Sequence, residues 1–169
     1  METSLRFDSN GKSLRLFAKE KFSNDDNYVL TVSGSLDTKD GRVESRAYVH
    51  KKFFPEAVLS RVDMGLSYAT TADDVKYGIA GKKSFELTDD GLTTLDVKGG
   101  VTMGSKARHA EVSGAVELTQ KIFNFQEDQD LKLRLGYDLA KQKLYGQIRE
   151  NNWTFNTDFK DRWDLRYDL

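Results

Sequence analysis

Cysteine is absent from this 169-residue chain, and proline occurs once, at Pro55. Without thiols there is no disulfide framework, no thiol chemistry and no thiolate ligand for a zinc site. Long apolar runs are missing as well, and the mean hydropathy is polar, at -0.63. A transmembrane helix is therefore excluded. A transmembrane barrel is not, because half of every membrane-crossing strand can be polar. The opening residues, METSLRFDSNGKSLRLF, lack a basic stretch followed by an apolar one, so no secretory signal is expected. The sequon at Asn152-Trp153-Thr154 then carries little weight.

Catalytic and metal-binding patterns are also lacking. His50 and His109 stand alone, with no acidic partners at ligand spacing, so neither a metal site nor a cofactor is expected. No Ser-His-Asp order and no paired-carboxylate context points to an enzyme. Residues 78–84 carry two glycines followed by Lys82, Lys83 and Ser84, but the spacing is not that of a phosphate loop and the stretch alternates like a strand.

What the chain does have is period-two alternation from end to end, broken at short intervals by Asp, Asn, Gly and Ser. Twelve strands are expected, near 3–7, 14–22, 28–36, 43–53, 58–68, 75–87, 95–103, 110–122, 131–137, 144–148, 153–159 and 163–169. Pro55 cannot donate to a ladder and belongs at a strand end or turn. A unit of strand plus turn takes about 14 residues, which suits membrane-crossing strands of roughly 9–11 residues joined by short turns. An even count sets the first and last strands antiparallel, so the sheet can close and lose both edges. The expectation is all-β: one domain over 1–169, a closed antiparallel barrel with short turns on both rims and no plug.

Alternation alone does not decide which face meets solvent. The alternative is a soluble lipocalin-like barrel with its apolar face inward, binding a small ligand. Three features favour the membrane form. The first is charge. The polar face would carry Arg6, Arg15, Lys19, Lys21, Arg42, Arg46, Lys52, Arg61, Lys76, Lys82, Lys98, Lys121, Lys132, Arg134, Lys143, Arg149, Arg162 and Arg166. Against these stand Glu2, Glu44, Asp63, Glu86, Asp96, Glu111, Glu117, Asp138, Asp158, Asp164 and Asp168. That is 18 basic and 11 acidic residues, a surplus of +7, although the whole chain has a net charge of -1. Turns such as Asp25-Asp26, Asp73-Asp74, Asp89-Asp90 and Glu127-Asp128 are acidic, which the turn preference of Asp also explains.

The second feature is a set of aromatics near strand ends, as in membrane girdles: Phe7, Phe22, Tyr28, Phe53, Tyr68, Phe85, Phe125, Tyr137, Trp153, Phe159 and Trp163. The third is small residues on the apolar face (Gly34, Ala47, Gly81, Gly99, Ala110, Gly114, Gly146), around which lipid can fill. The few charges on that face, Glu20, Lys51 and Lys83, fall near strand ends, where long side chains snorkel to water.

The C-terminal residues Gln147-Ile-Arg-Glu-Asn-Asn-Trp-Thr-Phe155, with Arg162-Trp163 and Arg166-Tyr-Asp-Leu169, resemble the chloroplast outer envelope pore proteins of the twenty-one-kilodalton class. Met1-Glu-Thr-Ser-Leu-Arg6, Ala18-Lys-Glu-Lys-Phe22, Leu36-Asp-Thr38, Phe53 to Pro55, Lys82-Lys83, Phe123-Asn-Phe-Gln126 and Asp128-Gln-Asp130 extend the resemblance along the chain. From 57 to 115 the match is mainly one of pattern. The resemblance implies a multi-pass barrel in the plastid outer envelope. It would be an anion-selective channel, in contact with membrane lipid, for phosphate and phosphorylated metabolites such as triose phosphate and phosphoglycerate. It also implies regulation by ATP, with Phe155 and Lys160 fitting a Phe-x4-Lys nucleotide pattern. No nucleic-acid partner is implied. Members of the class are strongly basic overall, and this chain is not, so weaker anion capture is expected.

Under this reading Arg6, Arg162 and Arg166 form one basic stripe with Arg15, Lys19 and Lys21. Lys132, Arg134, Lys143 and Arg149 form a second, and Arg42 and Arg46 add to the lumen. Glu2, Asp164 and Asp168 are the residues expected to neutralise part of the first stripe.

Overall fold

The computed structural model describes residues 1–54, 60–106, 110–126 and 129–169. The expectations for Pro55, Val58, His109 and Glu127-Asp128, and for the side chain of Phe125, lie outside the described residues. Twelve strands form: β1 Glu2–Asp8, β2 Ser13–Ser23, β3 Tyr28–Asp37, β4 Val43–Phe53, β5 Ser60–Ala69, β6 Asp74–Glu86, β7 Thr93–Gly104, β8 Ala110–Gln126, β9 Gln129–Asp138, β10 Lys143–Glu150, β11 Trp153–Thr157 and β12 Trp163–Asp168.

Each strand pairs antiparallel with its sequence neighbours, and β12 returns to β1, where Arg6 faces Arg166 and Ser4 faces Asp168. The sheet is therefore closed, with every strand in the wall. No described element lies within the lumen. Closure satisfies every strand's backbone groups laterally, the condition that lipid imposes on any spanning structure.

Turn chemistry sets the strand ends. Asp8 Oδ1 accepts the Asn10 amide, Asp37 Oδ1 the Lys39 amide, Asp90 Oδ1 the Leu92 amide and Asp138 Oδ1 the Lys141 amide, each at 2.9 Å. These side chains stand in for backbone turn partners. The acidic rims thus have a structural cause. Gly41 and Gly91 take positive φ, 69° and 65°, at two of these turns.

Strand ends fall within two residues of expectation except at the end of β8, and two of them mark a change of local geometry. β11 stops at Thr157 rather than at 159, because Asp158 Oδ1 caps the Lys160 and Arg162 amides and Phe159 turns left-handed at φ 56°. β8 runs on to Gln126, past a break in its register with β9 between Ile122 and Gln126.

The barrel is apolar outside. Val29 is the one apolar side chain buried among the described residues, while Leu16, Val32, Leu66, Ile79, Val101, Leu135 and Ile148 are exposed. The buried side chains are polar: Ser4, Ser13, Asp96, Glu117, Thr119 and Thr154. A lipocalin-like barrel has the opposite arrangement, so that alternative falls.

Aromatics ring both ends. Phe7, Tyr68, Tyr137 and Trp163 stand near one mouth, and Phe22, Tyr28, Phe53, Phe85 and Trp153 near the other. Trp163 packs on Phe7 at 5.5 Å and near Phe155 at 6.1 Å, and Trp153 on Tyr167 at 4.6 Å. The charges on the apolar face are also accommodated. Lys51 Nζ lies over the Tyr28 ring and Lys83 Nζ over Phe85, and Glu20 pairs with the N-terminal amine at 3.1 Å. Of the small outer residues, Gly34, Gly81 and Gly99 are open, but the Phe159 ring covers Gly146, filling the space a Cβ would need.

Candidate functional site

The inward face is set by parity. On β2 the residues Arg15, Phe17, Lys19 and Lys21 point in while Leu14, Leu16 and Ala18 point out, and the same rule holds around the barrel. Closure then brings together cations from distant parts of the chain. Arg15 on β2 faces Arg6 on β1, and Arg6 faces Arg166 on β12. Arg166 faces Thr154 on β11, and Thr154 faces Arg149 on β10. Arg149 faces Lys132 on β9, and Lys132 faces Lys121 on β8. Six cations and one threonine form a ladder across seven consecutive strands. Parts of the two stripes expected from sequence meet here: Arg6, Arg15 and Arg166 of the first join Arg149 and Lys132 of the second through Thr154.

The ladder runs from mouth to mouth. Arg15 lies beside the turn at 9–12, while the Lys121 amide bonds Leu92 O in the turn at 87–92, on the opposite rim. Strands of such barrels tilt by roughly 35–45°, so a line perpendicular to them spirals along the pore axis. Neighbouring rungs stand about 4.5–5.5 Å apart at Cβ.

Carboxylates neutralise part of it. Arg15 pairs with Asp37 at 3.1 Å, and Asp168 takes both Arg166 at 2.5 Å and Arg149 at 3.4 Å. Among the described residues, Arg6, Lys121 and Lys132 form no ion pair. Glu2 is occupied by Lys19 and Lys21, at 3.7 and 3.4 Å, and Asp164 accepts from the Asn156 amide rather than from a cation. Asp37 takes a cation although its place at the end of β3 reads as a turn residue.

The remaining predicted residues scatter. Arg134 points in two residues from Lys132 but lies toward Glu117, at 3.5 Å. Arg46 lines the wall opposite, on β4, and Lys143 opens β10. Arg42 and Arg162 lie beyond the strand ends, at the mouth shared by the turns 38–42 and 158–162, so Arg162 is not in register with Arg6. Asp8, Asp37 and Asp74 end strands on the inward side. The positive surplus of the lumen is thus smaller than the +7 counted from the sequence. Phe155 faces outward against Leu165 and Ile148, while Lys160 is in the turn after β11.

Two inward carboxylates anchor a denser network on the β6–β10 wall. Glu117 accepts from Lys98 Nζ and Tyr145 Oη, both at 2.6 Å, with Arg134 beside it. Asp96 takes Lys82 Nζ at 2.8 Å and the Ser84 hydroxyl at 2.5 Å. The Tyr145 ring lies flat over Gly136, where any side chain would collide with it. Tyr48 stacks on His50 at 4.5 Å, also facing in. These inward aromatics were legible in sequence, since Phe17, Tyr48 and Tyr145 share the parity of Arg15, Arg46 and Gln147.

The open space follows the cations. A cavity of about 550 Å³ is lined by Arg6, Arg15, Arg134, Arg162 and Arg166 with Asp8, Asp158 and Asp164; a second of about 390 Å³ by Arg6, Arg15, Phe17, Lys19 and Arg46 with Glu44; and a third of about 390 Å³ by Arg61, Lys82 and Lys98 with Asp63 and Asp138. Such a site holds no nucleophile with its base. It can attract, orient and release anions.

Residues 3–169 match the sequence profile of the family described as Chloroplast outer envelope pore protein OEP21. Outer envelope pore protein 21 of Pisum sativum is 42% identical over 178 residues, and Outer envelope pore protein 21A of Arabidopsis thaliana is 40% identical over 169, with 100% of both chains covered in each case. Among solved structures, the KdgM porin is similar with a TM-score of 0.56 at 10% identity, covering 99% of this chain and 96% of its own. The NanC porin gives 0.55 at 8% identity, covering 99% and 97%. At such identities the likeness shows the barrel fold alone.

Proposed function

This chain belongs to the chloroplast outer envelope pore protein family, and on that premise we propose that its lumen prefers anions and passes phosphate and phosphorylated metabolites such as triose phosphate and phosphoglycerate. The family is one of pores rather than enzymes. The chain is a multi-pass β-barrel of the plastid outer envelope, in contact with lipid across its apolar exterior. The finer reading rests on the ladder from Arg15 to Lys121.

Rings or lines of Arg and Lys favour anions in a narrow polar lumen by raising their local concentration and repelling cations. Guanidinium adds a planar fork that matches phosphate oxygens. Conduction also needs weak, repeated binding rather than one tight site. Closely spaced rungs, half of them tempered by Asp37 and Asp168, supply that. ATP modulation belongs to the same proposal. A triphosphate spans more than one rung at once and dwells longer than a single phosphate. Of the proposed nucleotide pair Phe155 and Lys160, Lys160 stands at the mouth while Phe155 faces lipid, so this part of the proposal rests on Lys160.

The experiment is reversal of charge at Arg15, Lys19 and Arg166 together, with reversal potentials measured in asymmetric salt across planar bilayers. A move toward cation preference is expected, with loss of any block by added ATP. Unchanged selectivity in a properly inserted triple variant would remove the ladder from the explanation.

A further inference from the structure

Arg6 occupies an electrostatically awkward place. Its direct neighbours on both sides, Arg15 and Arg166, are also arginines. Like charges directly opposite each other push apart. Arg15 is drawn off toward Asp37 and Arg166 toward Asp168. Arg6 has no such carboxylate. Its guanidinium instead lies on the face of the Phe17 ring, 3.4 Å from the ring centre, with Nε 3.3 Å from Ser4 Oγ.

Phe17 is itself out of place. On the strands Phe7, Phe22, Phe53, Phe85 and Phe155 face lipid, whereas Phe17 follows the parity of Arg15 and Lys19 and points into the polar lumen. Tyr48 and Tyr145, the tyrosines that also point in, each carry a hydroxyl; Phe17 has no polar atom. Register explains the contact. Phe17 faces Ser4, two residues from Arg6 on the same inward side, so the ring reaches Arg6 along the diagonal. The ring thereby covers one face of the guanidinium and is itself covered. Arg6 lines the 550 Å³ cavity and the 390 Å³ cavity beside Phe17, so the held group stands where those two meet.

We propose that Phe17 is a positioning residue for selectivity. By stacking on Arg6 it keeps a guanidinium that forms no ion pair among the described residues from folding back toward the carboxylates Asp164 and Asp168 on β12, with its edge nitrogens presented to passing anions. This rests on the anion preference proposed above. The ring's attraction needs no counter-charge, so it fixes the cation without neutralising it. A carboxylate in the same place would hold Arg6 equally well and cancel its effect on the pore.

The test is a double-mutant cycle read by reversal potential in asymmetric potassium chloride. Phe17→Leu keeps an apolar side chain and removes the ring. The anion-to-cation permeability ratio should fall by up to about fivefold, the population change that losing such a contact at an exposed site permits. Phe17→Tyr should keep the parental ratio. In an Arg6→Gln background, Phe17→Leu should change nothing further, because the ring then has no guanidinium to hold. A merely structural role for Phe17 would lower the ratio equally in both backgrounds and would overturn the proposal. So would an unchanged ratio in Phe17→Leu while the parent prefers anions. If Phe17→Leu does not insert, the comparison of Arg6→Gln with Phe17→Tyr carries the test, and equal ratios for those two refute it. A parent without anion preference would defeat the underlying reading instead, and is seen before any variant is made.

Discussion

Replacing Glu117 by Gln removes one buried negative charge from the lumen wall while keeping the side chain's shape. Its size as a perturbation follows from the barrel. Twelve strands about 4.8 Å apart and tilted by roughly 40° close at a backbone radius of about 12 Å. A carboxylate a few ångströms inside that wall stands about 8 Å from the axis. One unit charge at that distance in water contributes about 0.5 kcal/mol. Anions and cations feel it with opposite sign, so their permeability ratio changes by the square of the corresponding factor, about sixfold in dilute salt. Near 0.15 M the Debye length is about 8 Å and the ratio shrinks to about twofold.

Stability should move the other way, because Lys98 and Tyr145 lose a charged acceptor and Arg134 a nearby counter-charge. Charge-assisted bonds contribute about 1.5–3 kcal/mol against about 0.5–1.5 for neutral ones, so a net loss of about 1–3 kcal/mol is expected. The assays are reversal potential at two salt concentrations and denaturant unfolding in detergent. Glu117→Gln should be more anion-selective, more so in dilute salt, and less stable. A variant no more selective than the parent would refute the claim that the inward charges govern permeation.

On the exterior, Ile79→Lys places an ammonium at mid-strand among Met64 and Val101, far from either girdle. The barrel should lose about 2–4 kcal/mol of stability in bilayers, measured as a shift of the unfolding midpoint. At the mouth, the Arg162 and Lys160 amides hold the Asp158 carboxyl below its ordinary value. Its capping contribution is therefore complete above about pH 3.9, where the unfolded group also ionises, and is lost as pH falls through the lowered value. Amide exchange at Lys160 and Arg162 should speed up in that acid window, and Asp158→Asn should abolish the pH dependence.

Strand number, parity and turns could all be read from residue order, because a strand turns its side chains alternately and Asp or Gly at the bends does local work. Phe17 shows how far parity reaches. It stands between Leu16 and Ala18, so its inward direction follows from its position alone. What Phe17 touches does not. Arg6 lies eleven positions earlier, and only the β1–β2 register sets the ring against it.

Local order therefore determined the strands, their two faces and the gathering of cations on the polar one, since alternation and turn preference act over two to five residues. Which face turns inward was seen in the closed barrel, with its aliphatic side chains exposed. Tertiary structure decided which cations act together. Arg6 and Arg166 are neighbours through closure, a contact between the two ends of the chain. Stagger decided the ion pairs in the same way. Asp168 reaches Arg149 across β11, and Glu117 gathers Lys98, Arg134 and Tyr145 from three strands. A count of charges along the sequence is blind to that, because the field inside a pore depends on which charges cancel at contact distance, and contact distance is a property of the closed wall.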